Sequence, residues 1–268
     1  MSPADFFWLS LLLKAGLTAT IIVTASIVVE RGGPFLGAMI AALPTSVGAA
    51  YIVMAFEHTP AFIDDAAIGS LAGNAAGVTF AAVYALLAQK RSLAVSLGGA
   101  LLVWFAAAAF VQSIPWTIWS AVAFNLGVVA VTIPLTAPAR AASVTTATPI
   151  PRPYDIPVRA AIVSLFVILV TTLSHSIGPV ASGTFAVFPM AMSSFIVILH
   201  TRIGGPATSN VIAHVQVPLL GLILAFSLVH IFAEVTGVWW ALLFGLLGSL
   251  AWNALLWIWR TRMTAGAL

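Results

Sequence analysis

Nine long stretches of this chain carry almost no charge, and that pattern limits the fold more than any motif in it. They run over about 11–30, 34–55, 65–88, 93–112, 115–135, 159–177, 179–199, 208–232 and 237–259. Each approaches the ~20 apolar residues that a helix needs to cross a bilayer. Of the 268 residues only 6% are charged and 62% are hydrophobic, whereas soluble domains carry roughly a quarter charged residues. Water cannot solvate such a surface, so the lipid bilayer is the first partner this composition implies. Inside hydrocarbon a backbone must satisfy its own hydrogen bonds, which leaves helices or a closed barrel. The runs are long and continuous rather than short and alternating. The expectation is an all-α polytopic membrane protein of about nine transmembrane helices.

The breaks between runs are rich in turn formers: Glu30-Arg31-Gly32-Gly33-Pro34, Glu57-His58-Thr59-Pro60, Gln89-Lys90-Arg91, Gln112-Ser113-Ile114-Pro115, 175–179, 200–206 and 234–237. One long polar connection, 136–158, holds Pro138, Pro149, Pro151, Pro153 and Pro157 and suits a solvated linker. With nine spans and the N-terminus outside, nine of the ten basic residues fall on the inner side, and only Lys14 is left on the outer half. The positive-inside rule counts Lys and Arg alone and selects that orientation, with the C-terminus cytoplasmic. Asp5, Glu57, Asp64, Asp65 and Glu234 then gather outside. Trp8, Trp116, Trp119, Trp239 and Trp240 mark the outer interface, and Trp257 and Trp259 the inner one. The formal charge of +3 follows from these cytoplasmic residues and needs no nucleic-acid partner. The N-terminus has no basic region and no small-residue cleavage site, so it reads as a retained first helix.

Residues 14–58 and 159–200 share a pattern at a constant offset. Lys14-Ala15, Gly33-Pro34, Ala41 and Pro44 correspond to Arg159-Ala160, Gly178-Pro179, Ala186 and Pro189, each 145 positions later; after a one-residue gap Gly77 falls opposite Gly221. The expectation is two four-helix repeats, 1–112 and 159–268, separated by 113–158, which holds one extra helix (115–135) and the linker. Four helices return the chain to its starting side and the fifth carries it across. The second repeat therefore enters inverted, as in many secondary transporters.

Candidate site residues follow from the matched positions. Pro44 and Pro189 lie within the second helix of each repeat, where proline removes a hydrogen bond and frees a carbonyl. Thr45 and Ser46 follow the first proline, and Ser193 and Ser194 follow the second. Such a pair suits broken helices lining a cavity, or else kinks repaired by neighbouring hydroxyls. Ser70, Gly73, Asn74 and Gly77 share one face of the third helix. Asn210, His214, Pro218 and Gly221 do the same in the second repeat, with Gln216 beside them. Small residues on such faces allow close packing, while Asn74 and His214 need a polar partner or a polar cavity. His214 is the candidate for proton coupling, set against a hydrogen-bonded core histidine.

His230 and Glu234, four apart, can pair as a gate. A lone His-x-x-x-Glu lacks further metal ligands, and no metal site is expected. Lys14 and Arg159 either draw an anion to the two mouths or snorkel to the interface. Glu57, His58, Asp64 and Asp65 form a solvated turn or a cation-attracting vestibule.

The absences narrow the function. Without Cys there is no thiol catalysis or thiolate metal site. No phosphate-cradling glycine loop, His-Glu-x-x-His or Gly-x-Ser-x-Gly occurs, so neither an enzyme nor a cofactor is expected. The reading is a secondary transporter or facilitator of a small organic solute or anion in the bacterial inner membrane. The alternative is a non-transporting subunit that docks in a larger membrane complex. Whether the chain also forms a homo-oligomer is left open.

Overall fold

The structure, a computed structural model, describes residues 14, 16–20, 23–24, 45–141 and 155–265. All regular structure among them is helical. We label the helices α1 (Thr45–Glu57), α2 (Pro60–Leu87), α3 (Leu93–Gln112), α4 (Ile118–Leu135), α5 (Ala137–Ala141), α6 (Asp155–Ile177), α7 (Pro179–Ala186), α8 (Met190–Ile203), α9 (Gly205–Val215), α10 (Leu220–Phe232) and α11 (Val238–Ala265). Taken with α7–α8 and α9–α10 as single segments, seven helices are long and apolar enough to cross a membrane: 60–87, 93–112, 118–135, 160–177, 179–203, 205–232 and 238–259. This is the make-up of a multi-pass membrane protein. Most of the first expected span and the start of the second lie outside the described residues. So do Ala15, Gly33, Pro34, Ala41 and Pro44, first-half members of the expected repeat.

Helix α2 is the axis of the bundle. Its run 66–78 (Ala, Gly, Ser, Asn, Leu, Ile and Val) is buried on every side, because side chains this small let helices approach on all faces. Around it pack α3, α4, α7, α9 and α10; α11 lies against α10, and α6 against α1 and α7. The closest approach is the crossing of α2 and α7. A Cβ on Gly69 would overlap the carbonyl of Val180, and one on Gly183 would overlap that of Ala66. Gly73 on the same face meets Thr184 and Val187.

Local chemistry explains the helix starts. Thr59 Oγ1 accepts from Phe62 N (3.3 Å) ahead of Pro60 at the first turn, where a missing N–H costs nothing. Thr117 and Ser120 form a reciprocal capping box on α4. Gly178 and Gly204, at φ 81° and 82°, reverse the chain before α7 and α9, a conformation that side chains with a Cβ rarely take. The large exposed residues, such as Leu102, Phe105, Leu165, Trp239 and Trp259, coat the outside, as expected of a surface that meets lipid.

Candidate functional site

Two of the long segments are interrupted. Between α7 and α8, Pro189 has no N–H, α7 ends at Ala186 and α8 restarts at Met190. Phe188 at this break packs edge-on to Trp104 of α3 (ring centroids 4.6 Å) and against Phe166 of α6 (5.0 Å). Between α9 and α10 the cause is Pro218. Its missing N–H leaves the His214 carbonyl without the usual donor, and the ring crowds that carbonyl. The next turn tightens to i→i−3 bonds, with Leu220 N to Val217 O at 3.2 Å and Gly221 N to Pro218 O at 3.0 Å. At 1.5 Å rise per residue the two breaks sit roughly 13 and 18 Å from the starts of their segments, near the middle of a ~30 Å hydrocarbon core.

The carbonyls at the second break are met by side chains from other helices. Asn74 Nδ2 reaches Leu219 O at 3.4 Å and Trp252 Nε1 donates to Val217 O at 3.0 Å. Asn74 Nδ2 also donates to Asn125 Oδ1 (2.9 Å), and Asn125 Nδ2 donates to Leu71 O (2.6 Å) and Ala121 O (2.9 Å). Both amides are buried. Asn125 was not a candidate in the sequence, although the argument that singled out Asn74 applies to it equally. It is an amide in an otherwise apolar helix. Trp252 is readable in the same way, as an indole N–H that needs an acceptor.

The other expected residues are distributed around this centre. Ser70 Oγ lies 2.7 Å from Tyr51 Oη and donates to Gly183 O at 2.7 Å, tying α2 to α1 and α7. Ser46 is buried in α1. Ser194 Oγ bonds back to Ala191 O (2.8 Å), whereas Ser193 Oγ is buried without a hydrogen-bond partner. His214 Nδ1 sits 2.8 Å from Asn210 O. A carbonyl only accepts, so Nδ1 carries the proton and Nε2 keeps its lone pair. Asn210 Nδ2 donates to the carbonyls of Ala139 (2.9 Å) and Arg140 (3.0 Å). Gln216 Nε2 donates to Thr136 Oγ1 (2.9 Å), and its buried Oε1 has no partner. Pro44 and the side chains of Thr45 and Arg159 lie outside the described residues.

Charge separates the two ends of the bundle. At one end, the basic end, Ala85, Ala139 and Ala213 pack together and Gly205 lies against the Ala88 carbonyl, which gathers α5 and α9 beside the end of α2 that leads into the Lys90-Arg91 turn. Arg140 donates there to the carbonyls of Ile133 and Ala213, and burial lowers its pKa. Tyr84 Oη bonds His200 Nδ1 (2.8 Å).

At the opposite, acidic end Lys14 Nζ lies 2.7 Å from Glu57 Oε1, and His175 Nε2 lies 3.8 Å from Glu57 Oε2. His58 Nε2 bonds Ser174 Oγ (2.7 Å) and stacks on Phe62 at 3.7 Å. Burial pushes the His58 imidazole below its usual pKa; His175 and Lys14 add to this and Glu57 opposes it. His230 Nδ1 lies against Asp64 Oδ1, not against Glu234. Helix α10 ends at Phe232, and Glu234 falls in the exposed turn beyond it. Comparison with protein-family models, curated proteins and solved structures finds no match.

Proposed function

We propose that this chain is a secondary transporter or facilitator of a small solute, an organic molecule or an anion, working by alternating access. The observation that carries the reading is the pair of segments interrupted at mid-membrane, by Pro189 and Pro218, with buried amides beside the second break. Unwound backbone at membrane depth is tolerated where it is enclosed by protein or lines a cavity, and transporters place binding sites there. Among the described residues near the two breaks, His214 Nε2, Gln216 Oε1 and Ser193 Oγ have hydrogen-bonding capacity to offer a solute, as does Trp104 Nε1 beside Phe188.

In this reading the chain has nine spans, as two inverted repeats in 1–112 and 159–268 joined through α4 and the linker. The packing of α2 on α3 has its counterpart in α10 on α11, and that of α3 on α8 in α11 on α1. The orientation is N-terminus outside and C-terminus cytoplasmic in a bacterial inner membrane. The acidic end then faces out and the basic end faces in.

A second reading, a non-transporting subunit of a larger membrane complex, draws support from the close α2–α7 crossing and from the internal pairing of Asn74 with Asn125. The absence of native Cys gives a clean test. Single Ser193→Cys and His214→Cys variants in vesicles should react with a hydrophilic methanethiosulfonate reagent added from either side, as a crevice opening alternately to each face requires. Complete protection of both positions from both sides would remove the transport reading and leave the subunit.

A further inference from the structure

We propose that Glu57, His58 and His175 form a binding site for a borderline divalent transition metal of the zinc type at the acidic end of the bundle. The proposal is independent of transport. Residues 57 and 58 lie in the α1–α2 turn and residue 175 at the end of α6. The fold thus joins side chains that are 117 positions apart. One ligand atom from each of the three lies within 4.8 Å of the others. Zinc bonds of ~2.0 Å in a tetrahedral arrangement put neighbouring ligand atoms about 3.3 Å apart, so the site must close by about 1.5 Å at most. His175, with 57% of its side chain exposed, is free to turn by that amount. Two imidazoles and one carboxylate are the donor set of catalytic and regulatory zinc sites. Magnesium and calcium prefer oxygen alone.

The surroundings hold the ligands in state and direction. Ser174 Oγ donates its hydrogen to Thr171 O (2.6 Å), so toward His58 Nε2 it must accept. His58 Nε2 therefore carries the proton, and Nδ1 keeps the lone pair that a metal needs. The Phe62 ring, 8° from parallel, fixes the imidazole plane. Glu57 has given one oxygen to Lys14, and the other, Oε2, is buried with no hydrogen-bond partner and 3.8 Å from His175 Nε2. A hydrogen-bonded carboxylate that turns its second oxygen to the metal is a common outer-shell arrangement. The Lys14 charge opposes a cation and sets the affinity below that of the same three ligands alone. The open direction toward His175 leaves a fourth position for water.

The test uses the full chain, purified without a polyhistidine tag, stripped with chelator and titrated in detergent micelles. We expect one Zn2+ per chain by calorimetry and no competition from millimolar Mg2+. Cobalt should give visible d–d absorption of a four- or five-coordinate site. His175→Ala and Glu57→Gln should weaken Zn2+ binding by about 100-fold or more, given that even outer-shell partners are worth 10–100-fold. His200→Ala, at the other end of the bundle, should not weaken it. The proposal is overturned if wild-type protein gives no cobalt d–d bands, a result that needs no variant to fold. It is also overturned if Mg2+ displaces Zn2+, or if His175→Ala binds as tightly as wild type.

Discussion

The buried amide pair Asn74–Asn125 gives the most direct measure of whether α2 and α4 are held by polar contacts. Replacing Asn125 by Leu removes the acceptor of Asn74 Nδ2 and the donor to Leu71 O. Hydrogen bonds between membrane helices average about 0.6 kcal/mol and reach about 1.7, so the two together contribute about 1 kcal/mol. The Asn74 amide is then left with only the 3.4 Å contact to Leu219 O, and a stranded buried donor costs about 1–2 kcal/mol more. Asn125→Leu should therefore destabilise by about 2–3 kcal/mol. Asn74→Leu, which strands Asn125 Oδ1, should cost somewhat less. In the double variant both stranding terms disappear, and two Leu side chains face each other in an apolar helix pair. The double loss should fall short of the sum of the single losses by about 2–3 kcal/mol, because both stranding terms vanish and the shared bond is no longer counted twice. Equilibrium unfolding in detergent micelles, run as a double-mutant cycle, reads this coupling. Additivity within ~0.5 kcal/mol would refute the contact.

Other substitutions test separate parts of the bundle. Gly183→Val drives a Cβ into the Ala66 carbonyl, which cannot rotate away, and should cost about 3 kcal/mol or prevent folding, read as lost thermal stability or lost expression. Gln216→Leu removes the unpartnered Oε1 together with one bond to Thr136. These effects nearly cancel, so its unfolding midpoint should stay level or rise slightly; a loss above about 2 kcal/mol would mean that Oε1 is satisfied in the membrane. Pro218→Ala returns an N–H to the His214 carbonyl. It should raise hydrogen-exchange protection across 218–222 and, on the transport reading, reduce uptake. Unchanged exchange would show that Pro218 is not the cause of the break.

Most helix positions were legible because one constraint, burial in hydrocarbon, acts on every residue of a span. The apolar run 93–112 coincides with α3, and 115–135 differs from α4 by three residues. Pro189 was readable as a break for the same local reason that makes it one. Pro218 carries identical chemistry. In the sequence it sits in a small-residue stripe with Asn210, His214 and Gly221, a pattern that reports packing and not an interruption. Asn125 has no counterpart in the expected repeats, because it lies in the helix between them. At the acidic end the cluster of Glu57, His58, Asp64 and Asp65 is legible as a polar turn, but its partners from the second half are not. His58 with His175 and Asp64 with His230 are tertiary pairs more than 100 positions apart, and no spacing rule reports them. The expected His230–Glu234 pair gives way to His230 against Asp64, a contact across 166 positions that only the fold supplies.

The placement of α2 bears on any motion the chain undergoes. In sequence it belongs to the first half, yet partners from the second half hold it along its length. Gly69 and Gly183 interlock it with α7, Ser70 bonds Gly183 O, Asn74 reaches Leu219 O, and Ser209 Oγ bonds Ala85 O. Sliding one sequence half against the other would break all of these contacts together, and lipid offers nothing in exchange for the hydrogen bonds. On the transport reading, alternating access must therefore keep α2, α7, α9 and α10 as one body and move the flanking helices against it. On the transport reading, spin labels at the exposed positions Leu86 of α2 and Leu224 of α10 should keep a single narrow distance distribution under every condition. Labels at Phe56 of α1 and Leu224 should not. A second distance appearing between Leu86 and Leu224 would place the moving boundary along α2 and refute this division of the bundle.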